Sequence, residues 1–369
     1  MENSRGKVPV AMSLDIFEDA RRQIEICNAC RYCEGYCSVF PAITRERVFT
    51  DGDIIQLANL CHNCRGCYYA CPYIEPHEFA LNVPGILADV RQESWQRFAW
   101  PNGLARLFDR SGVVIASLLV LAITFIFVMA QALRPVSGDG FYAYMSHGLM
   151  VGIFVPAFVF PLAAMGISMR RYWSAVGAVG WPSWRHFRAA FVSAVRMKNL
   201  SGGHGDGCNF EDEDRFTHMR TWFHHATFYG FMLCFASTCS GTIMHYFFDM
   251  PAPYGLLSAP KLLGIPGGVL LCFGTAGLAW LKIKSDPKLG ARTVWGAEMS
   301  FIALLFLVSA TGLGLYAATG TTLVPGLLAL HLGSVLTLFV LLPYSKMVHG
   351  FYRLAALLRD EVTMEAKDC

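Results

Sequence analysis

The chain has 369 residues, 54% hydrophobic and only 15% charged, a balance too apolar for an ordinary soluble protein of two domains. Its net charge of +3 says little about partners and gives no ground for a nucleic-acid one. Thirteen cysteines suggest a secreted disulfide scaffold, but MENSRGKVPVAMSLDIFEDARR holds no apolar stretch long enough for a signal peptide. The cysteines are therefore expected in a reducing compartment, where regular spacing points to metal.

From the N-terminus, DIFEDARRQIEIC and GDIIQLANLC carry apolar residues at three- and four-residue spacings. Each predicts a helix that runs into the first cysteine of a motif. The first motif is Cys27, Cys30, Cys33 and Cys37, and the second is Cys61, Cys64, Cys67 and Cys71. Both read C-x-x-C-x-x-C-x-x-x-C, in which three thiolates serve one cubane cluster and the fourth reaches the other. On that rule one [4Fe–4S] cluster takes Cys27, Cys30, Cys33 and Cys71, and the other takes Cys61, Cys64, Cys67 and Cys37. Zinc modules more often split their ligands into two separated pairs. Pro72 follows the second motif directly, whereas the first has Ser38 there and its proline only at Pro41. Residues 1–101 are thus expected to form an α-helical ferredoxin-like domain with two clusters.

A composition shift near residues 101 to 111 marks the next boundary. Beyond it, apolar windows long enough to cross a hydrocarbon core occur at about 112–132, 147–169, 222–248, 261–281, 299–318 and 327–346. Six such windows without a central charge are hard to place in a soluble core, so the fold class is all-α with a six-span membrane domain over 112–349. Arg170, Arg171, Arg185, Arg188, Arg196, Lys198, Arg215 and Arg220 lie between the second and third spans, and Lys282, Lys284, Lys288 and Arg292 between the fourth and fifth. The opposite side offers Arg134 and Lys261. The positive-inside rule then puts both termini and the cysteine domain in the cytoplasm, in a multi-pass inner-membrane protein.

The cytoplasmic connection 170–221 holds WPSWRHFRAAFVSAVRMKNL, which mixes basic and apolar residues after an N-cap at Ser183 and predicts an interfacial helix. SGGHGDGCNFEDED reads as a solvated turn, with no second ligand pair to help His204 and Cys208. Cys234, Cys239 and Cys272 read as small apolar fillers inside spans, and 350–369 as a cytoplasmic tail.

Histidines near the span ends are candidate haem ligands. His331 and His349 are 18 residues apart, five whole turns at about 100° per residue, which puts them on one face of a single helix about 27 Å apart. His224 and His245 are 21 apart and face within about 60° of each other. Matching depth pairs His224 with His349 near the cytoplasmic face and His245 with His331 near the outer face. His225 and His147 are substitutes, and the bland alternative is that all are interfacial side chains.

CRYCEGYCSVFP, CHNCRGCYYACPY, TWFHHATFYGFMLCF and the six apolar windows together resemble the tricarballylate/citrate-utilisation B family over nearly the whole chain. Related sequence forms the C-terminal half of CobZ-type flavohaem proteins, and the membrane half is distantly similar to haem b subunits of the nitrate reductase gamma type. The resemblance implies a soluble FAD-dependent tricarballylate dehydrogenase as partner and the quinone pool as electron acceptor. No dinucleotide fingerprint is present, since TGLGLYAATG falls inside a span, so no substrate dehydrogenase site is expected in this chain. The function expected is electron transfer from the reduced flavoprotein through two clusters, and haem b, to quinone. Two alternatives stand beside it. One is a subunit of another quinone-linked complex, such as a heterodisulfide-reductase-like enzyme. The other is a tricarboxylate transporter, against which the spans offer no midplane Arg or Lys.

Overall fold

The computed structural model describes residues 12–133, 140–177, 180–200, 207–209 and 213–368. Arg134 and His204 lie outside them. The described chain is mostly helical. Helix α1 (Met12–Cys30) is followed by the short α2 (Val39–Thr44) and then by α3 (Asp51–Leu60), which a capping box starts. Thr50 Oγ1 accepts from Asp53 N, and the Asp53 carboxylate accepts from Thr50 N at 3.1 Å. After the single turn α4 (Gly66–Tyr69), helix α5 (Val83–Phe98) opens with Asn82 capping Gly85 N at 3.0 Å and a proline in its first turn. Helices α1, α3 and α5 pack on one another around Ile24, Ile54, Leu60 and Leu87, all fully buried.

Helix α6 (Leu104–Ala132) bends at Ser111, where φ is −138°, so its amphipathic first turns are set off from the apolar stretch that begins at Gly112. Helices α7 (His147–Val176), α8 (Trp184–Val195), α9 (Met219–Phe247), α10 (Ala259–Lys284), α11 (Trp295–Ala317), α12 (Val324–Leu341) and α13 (Val348–Asp368) follow. Among the described residues, five stretches are long and apolar enough to cross a membrane: α6, α7, α10, α11 and the one that begins with α12. Leu118, Leu121 and Phe125 on α6 point outward, as lipid-facing side chains do. Helix α9, the third expected span, has the length but falls short in hydropathy, because Thr221, His224, His225, Thr227, Ser237, Thr238, Ser240, Thr242 and His245 dilute it. It lies closely along α10. A Cβ on Gly230 would stand 2.6 Å from Leu271 N, and one on Gly274 only 2.5 Å from Thr227 N, so backbone approach is what these glycines permit.

Two expectations need correction. His331 and His349 do not share a helix: α12 ends before Pro343, a 3₁₀ turn covers Leu342–Tyr344, and α13 starts at Val348. A proline lacks the N–H that would continue the ladder and crowds the preceding turn, so the five-turn arithmetic does not apply. Nor is the C-terminus a tail. Tyr352, Ala356 and Leu357 of α13 are buried in the same core as Ile54 and Ile55. Tyr172 Oη donates to Gln56 Oε1 at 2.6 Å, Gln56 Nε2 donates to Ala356 O at 2.7 Å, and Arg45 pairs with Asp360. The cysteine region, the end of α7 and α13 therefore share one interior. Helix α8 starts at the Ser183 cap, is tied to α13 by His186 and Glu365, and exposes Trp184 and Phe191.

Candidate metal centres

The first cysteine motif begins where α1 ends. Arg31, at φ +57°, breaks the helix immediately after Cys30 and swings Cys33 back toward Cys27, while Cys37 is carried on to the thiols of the second motif. The second begins at Cys61, the C-cap of α3. Asn63 and Arg65, at φ +52° and +68°, turn the chain so that Cys64 and Cys67 face the same interior. Non-glycine residues rarely adopt this conformation, and here they recur where sulfurs must be gathered.

The eight thiols divide between two cavities. Cys27, Cys30, Cys33 and Cys71 line the first, and Cys37, Cys61 and Cys64 line the second, while Cys67 stands at the wall of both. The fourth cysteine of each motif thus sits with the other motif's first three or, for Cys37, beside Cys61 and Cys64. Burial, with Cys71 next in influence, pushes the Cys27 and Cys33 thiols up to about 12. Burial raises Cys37 and Cys67 as well, each with neighbouring thiols adding to it. Only a thiolate ligates metal, so these sites take metal by releasing protons. Asn63 N and Tyr73 N each donate to a cysteine sulfur, Cys61 and Cys71, at 3.4 Å. Exposure differs between the two cavities. Cys30 and Tyr32 reach the surface beside the first, whereas Cys61 and Cys64 are 8% exposed.

A second feature lies below the second cavity. His224 of α9 and His349 of α13 bring their rings to 5.8 Å between centres at 85°. His349 Nδ1 donates to Lys346 O at 2.5 Å, which leaves Nε2 free to ligate, and His224 Nδ1 is buried with no hydrogen-bond partner. An iron held between two imidazoles by bonds of about 2 Å sets the ring centres roughly 6 Å apart, so this pair fits a haem. His225 instead stacks near Tyr229.

The expected outer pair is not brought together. His245 stacks on His147 at 4.2 Å and 22°, closer and flatter than an iron between two nitrogens allows. His331 is hydrogen-bonded through Nδ1 to Thr311 Oγ1 at 3.1 Å and lies against Gly312 of α11. As arranged, these residues do not fit a second haem.

Some of the site was not anticipated. Cys208, expected in a solvated turn, is 1% exposed and packs with Cys64, Met197 and Leu200. Its strand β1 (Cys208–Asn209) pairs antiparallel with β2 (Phe216–Thr217), and Asn209 N donates to Cys64 O at 3.1 Å. No local signal announces this latch, which forms only when the long connection folds back. Arginines grip the second motif too. Arg91 Nη1 and Arg353 Nη2 donate to Cys61 O at 2.8 and 2.6 Å, and Arg220 Nη1 donates to Asn63 O at 2.6 Å. The four-residue spacings Arg220 to His224 and His349 to Arg353 were the available clue.

The profile of the family described as citrate utilization protein B matches residues 102–369, and that family's Fer4-like domain matches residues 20–97. The chain belongs to the citrate utilization protein B family. It is 44% identical over 347 residues to citrate utilization protein B of Escherichia coli, spanning 92% of this chain and 91% of that one. No solved structure matches it. A Fer4-like domain ties the family's N-terminal part to iron–sulfur binding, and the apolar helices mark its remainder as membrane protein.

Proposed function

We propose that this chain carries electrons from a reduced flavoprotein into a membrane, where quinone accepts them. The observation that carries the reading is the division of eight thiols into two adjoining cavities, with the fourth cysteine of each motif among the other motif's thiols. The thiols are spread around the two cavities, as suits a four-iron cube held at its corners. Cys27, Cys30, Cys33 and Cys71 would hold one [4Fe–4S] cluster and Cys61, Cys64, Cys67 and Cys37 the other. When bound, such clusters supply one-electron carriers, and a haem b between His224 and His349 supplies a third.

The chain's own residues arrange the traffic. Cys30 brings the rim of the first cavity to the surface, where a partner protein can approach. Cys67, on the wall of both cavities, keeps the two sites adjoining. Helices α9 and α13 place His224 and His349 beyond the second cavity, at the end of α9 nearest the cysteine motifs. Counting α9, whose contact with α10 runs along most of its length, the membrane half has six spans, and the basic connections hold the cysteine domain and both termini in the cytoplasm.

The partner proposed, from the family resemblance alone, is an FAD-dependent tricarballylate dehydrogenase. The test is quinone reduction by membranes holding this chain, supplied with that flavoprotein and its substrate. Reduction that requires both proteins, and that is lost in Cys33→Ser and Cys64→Ser, supports the reading. Equal reduction without this chain, or by the cysteine variants, contradicts it.

A further inference from the structure

Two helices that carry the candidate haem ligands also carry arginines one turn away, and those arginines reach the same loop. On α9, Arg220 precedes His224 by four residues and donates to Asn63 O. On α13, Arg353 follows His349 by four and donates to Cys61 O, which also accepts from Arg91. Between these contacts sits His62. Its Nδ1 donates to Leu60 O at 2.8 Å, and its ring is within electrostatic reach of both Arg353 and His224. Three residues, Cys61 to Asn63, thus bridge the second cysteine cavity and the histidine pair.

Charge singles out Arg353. Among the described residues no carboxylate forms an ion pair with Arg353 or Arg91, and Arg353 Nε is buried without a hydrogen-bond partner. Arg353 acts electrostatically on Cys61 and Cys64 on one side and on His224 and His349 on the other. A fixed positive charge in a poorly hydrated interior favours an added electron nearby, and its effect is larger there than at a wet surface. At the first motif, by contrast, Arg31 is exposed and donates to Asn28 O rather than to a cysteine carbonyl.

We infer that the Cys61–Asn63 loop is the exit by which an electron leaves the cysteine domain for the histidine pair, and that Arg353, assisted by Arg220, is the positioning residue that sets this step. The inference rests on the electron-transfer reading above. With a cluster at each cysteine site and a haem iron held by His224 and His349, one electron would leave the first site as the second is reduced, and would leave the second as that iron is reduced. A reduced flavin supplies the electrons and a quinone removes them. Arg353 makes the second site the easier one to reduce and holds His62 and the loop against the histidine helices.

The test is an anaerobic redox titration of the full-length membrane protein, followed by electron paramagnetic resonance, with Arg353→Gln and Arg353→Lys beside the wild type. Arg353→Gln is expected to move the more positive iron–sulfur midpoint to more negative potential, leave the other in place, and slow haem reduction by about tenfold or more, the scale of one charge-assisted hydrogen bond. Arg353→Lys keeps the charge without the planar fork and is expected to fall between the two. Faster amide exchange over residues 60–66 in Arg353→Gln is the structural counterpart. Should Arg353→Gln lose its iron, the lysine variant reads the same shift at smaller size. Two wild-type signals whose midpoints ignore both variants overturn the inference alone, while a wild type without a second iron–sulfur signal overturns the reading beneath it as well.

Discussion

Cys27 and Cys33 show how burial prepares a metal site and what it costs the empty one. Their thiols, ordinarily near 9, are pushed up to about 12. Above pH 9 the unfolded chain gives up these protons while the folded apo-domain keeps them, so the unfolded state binds fewer protons and stability falls with pH. The metal-free protein is therefore expected to lose stability progressively between about pH 9 and 12, as thermal unfolding at stepped pH would show. His224 and His349 carry a second expectation. His224→Ala and His349→Ala should each abolish the same reduced haem α band, whereas His331→Ala should leave it, since the His331 ring lies against Gly312 of α11 rather than opposite another histidine. Loss of a band in His331→Ala would restore the outer pairing. The thiol partition was legible because spacing along a tight loop fixes which sulfurs can meet. Histidine partners were less so, because pairing them by depth assumed helices that run unbroken.

At the level of elements, caps and periodicity carried far. Ser183 starts α8 as its sequence indicates, and the apolar spacing of DIFEDARRQIEIC and GDIIQLANLC yields α1 and α3. Pro343 was visible too, yet an apolar window spanning it reads as continuous because hydropathy does not register a missing N–H. The α9–α10 contact depends on glycine. Gly274→Val would put side-chain atoms into Thr227 and the Phe223 carbonyl and is expected to cost about 1–3 kcal/mol through overpacking. Lower thermal stability in detergent, with weakened haem binding as α9 shifts, is the expected result. An unchanged unfolding temperature would mean the two helices are not held this closely.

Across the whole molecule, the C-terminal helix belongs to the interior of the N-terminal cysteine region. Gln56 to Ala356, Arg45 to Asp360 and Arg359 to Asp53 join segments some 300 residues apart, and contacts of that range leave no mark in any local window. A chain ending at Tyr344 keeps all eight motif cysteines but loses α13. It is expected to lose most of its bound iron, measured per chain after anaerobic purification. Full iron retention would show that the cysteine region closes without α13.

The central claim, that the paired motifs hold iron–sulfur clusters which feed electrons to the membrane, is tested most directly by metal and sulfide analysis of the full-length protein isolated without oxygen. About eight irons and eight acid-labile sulfides per chain from the clusters are predicted, with an absorption shoulder bleached by dithionite. Zinc at these cysteines, or no metal at all, would contradict it.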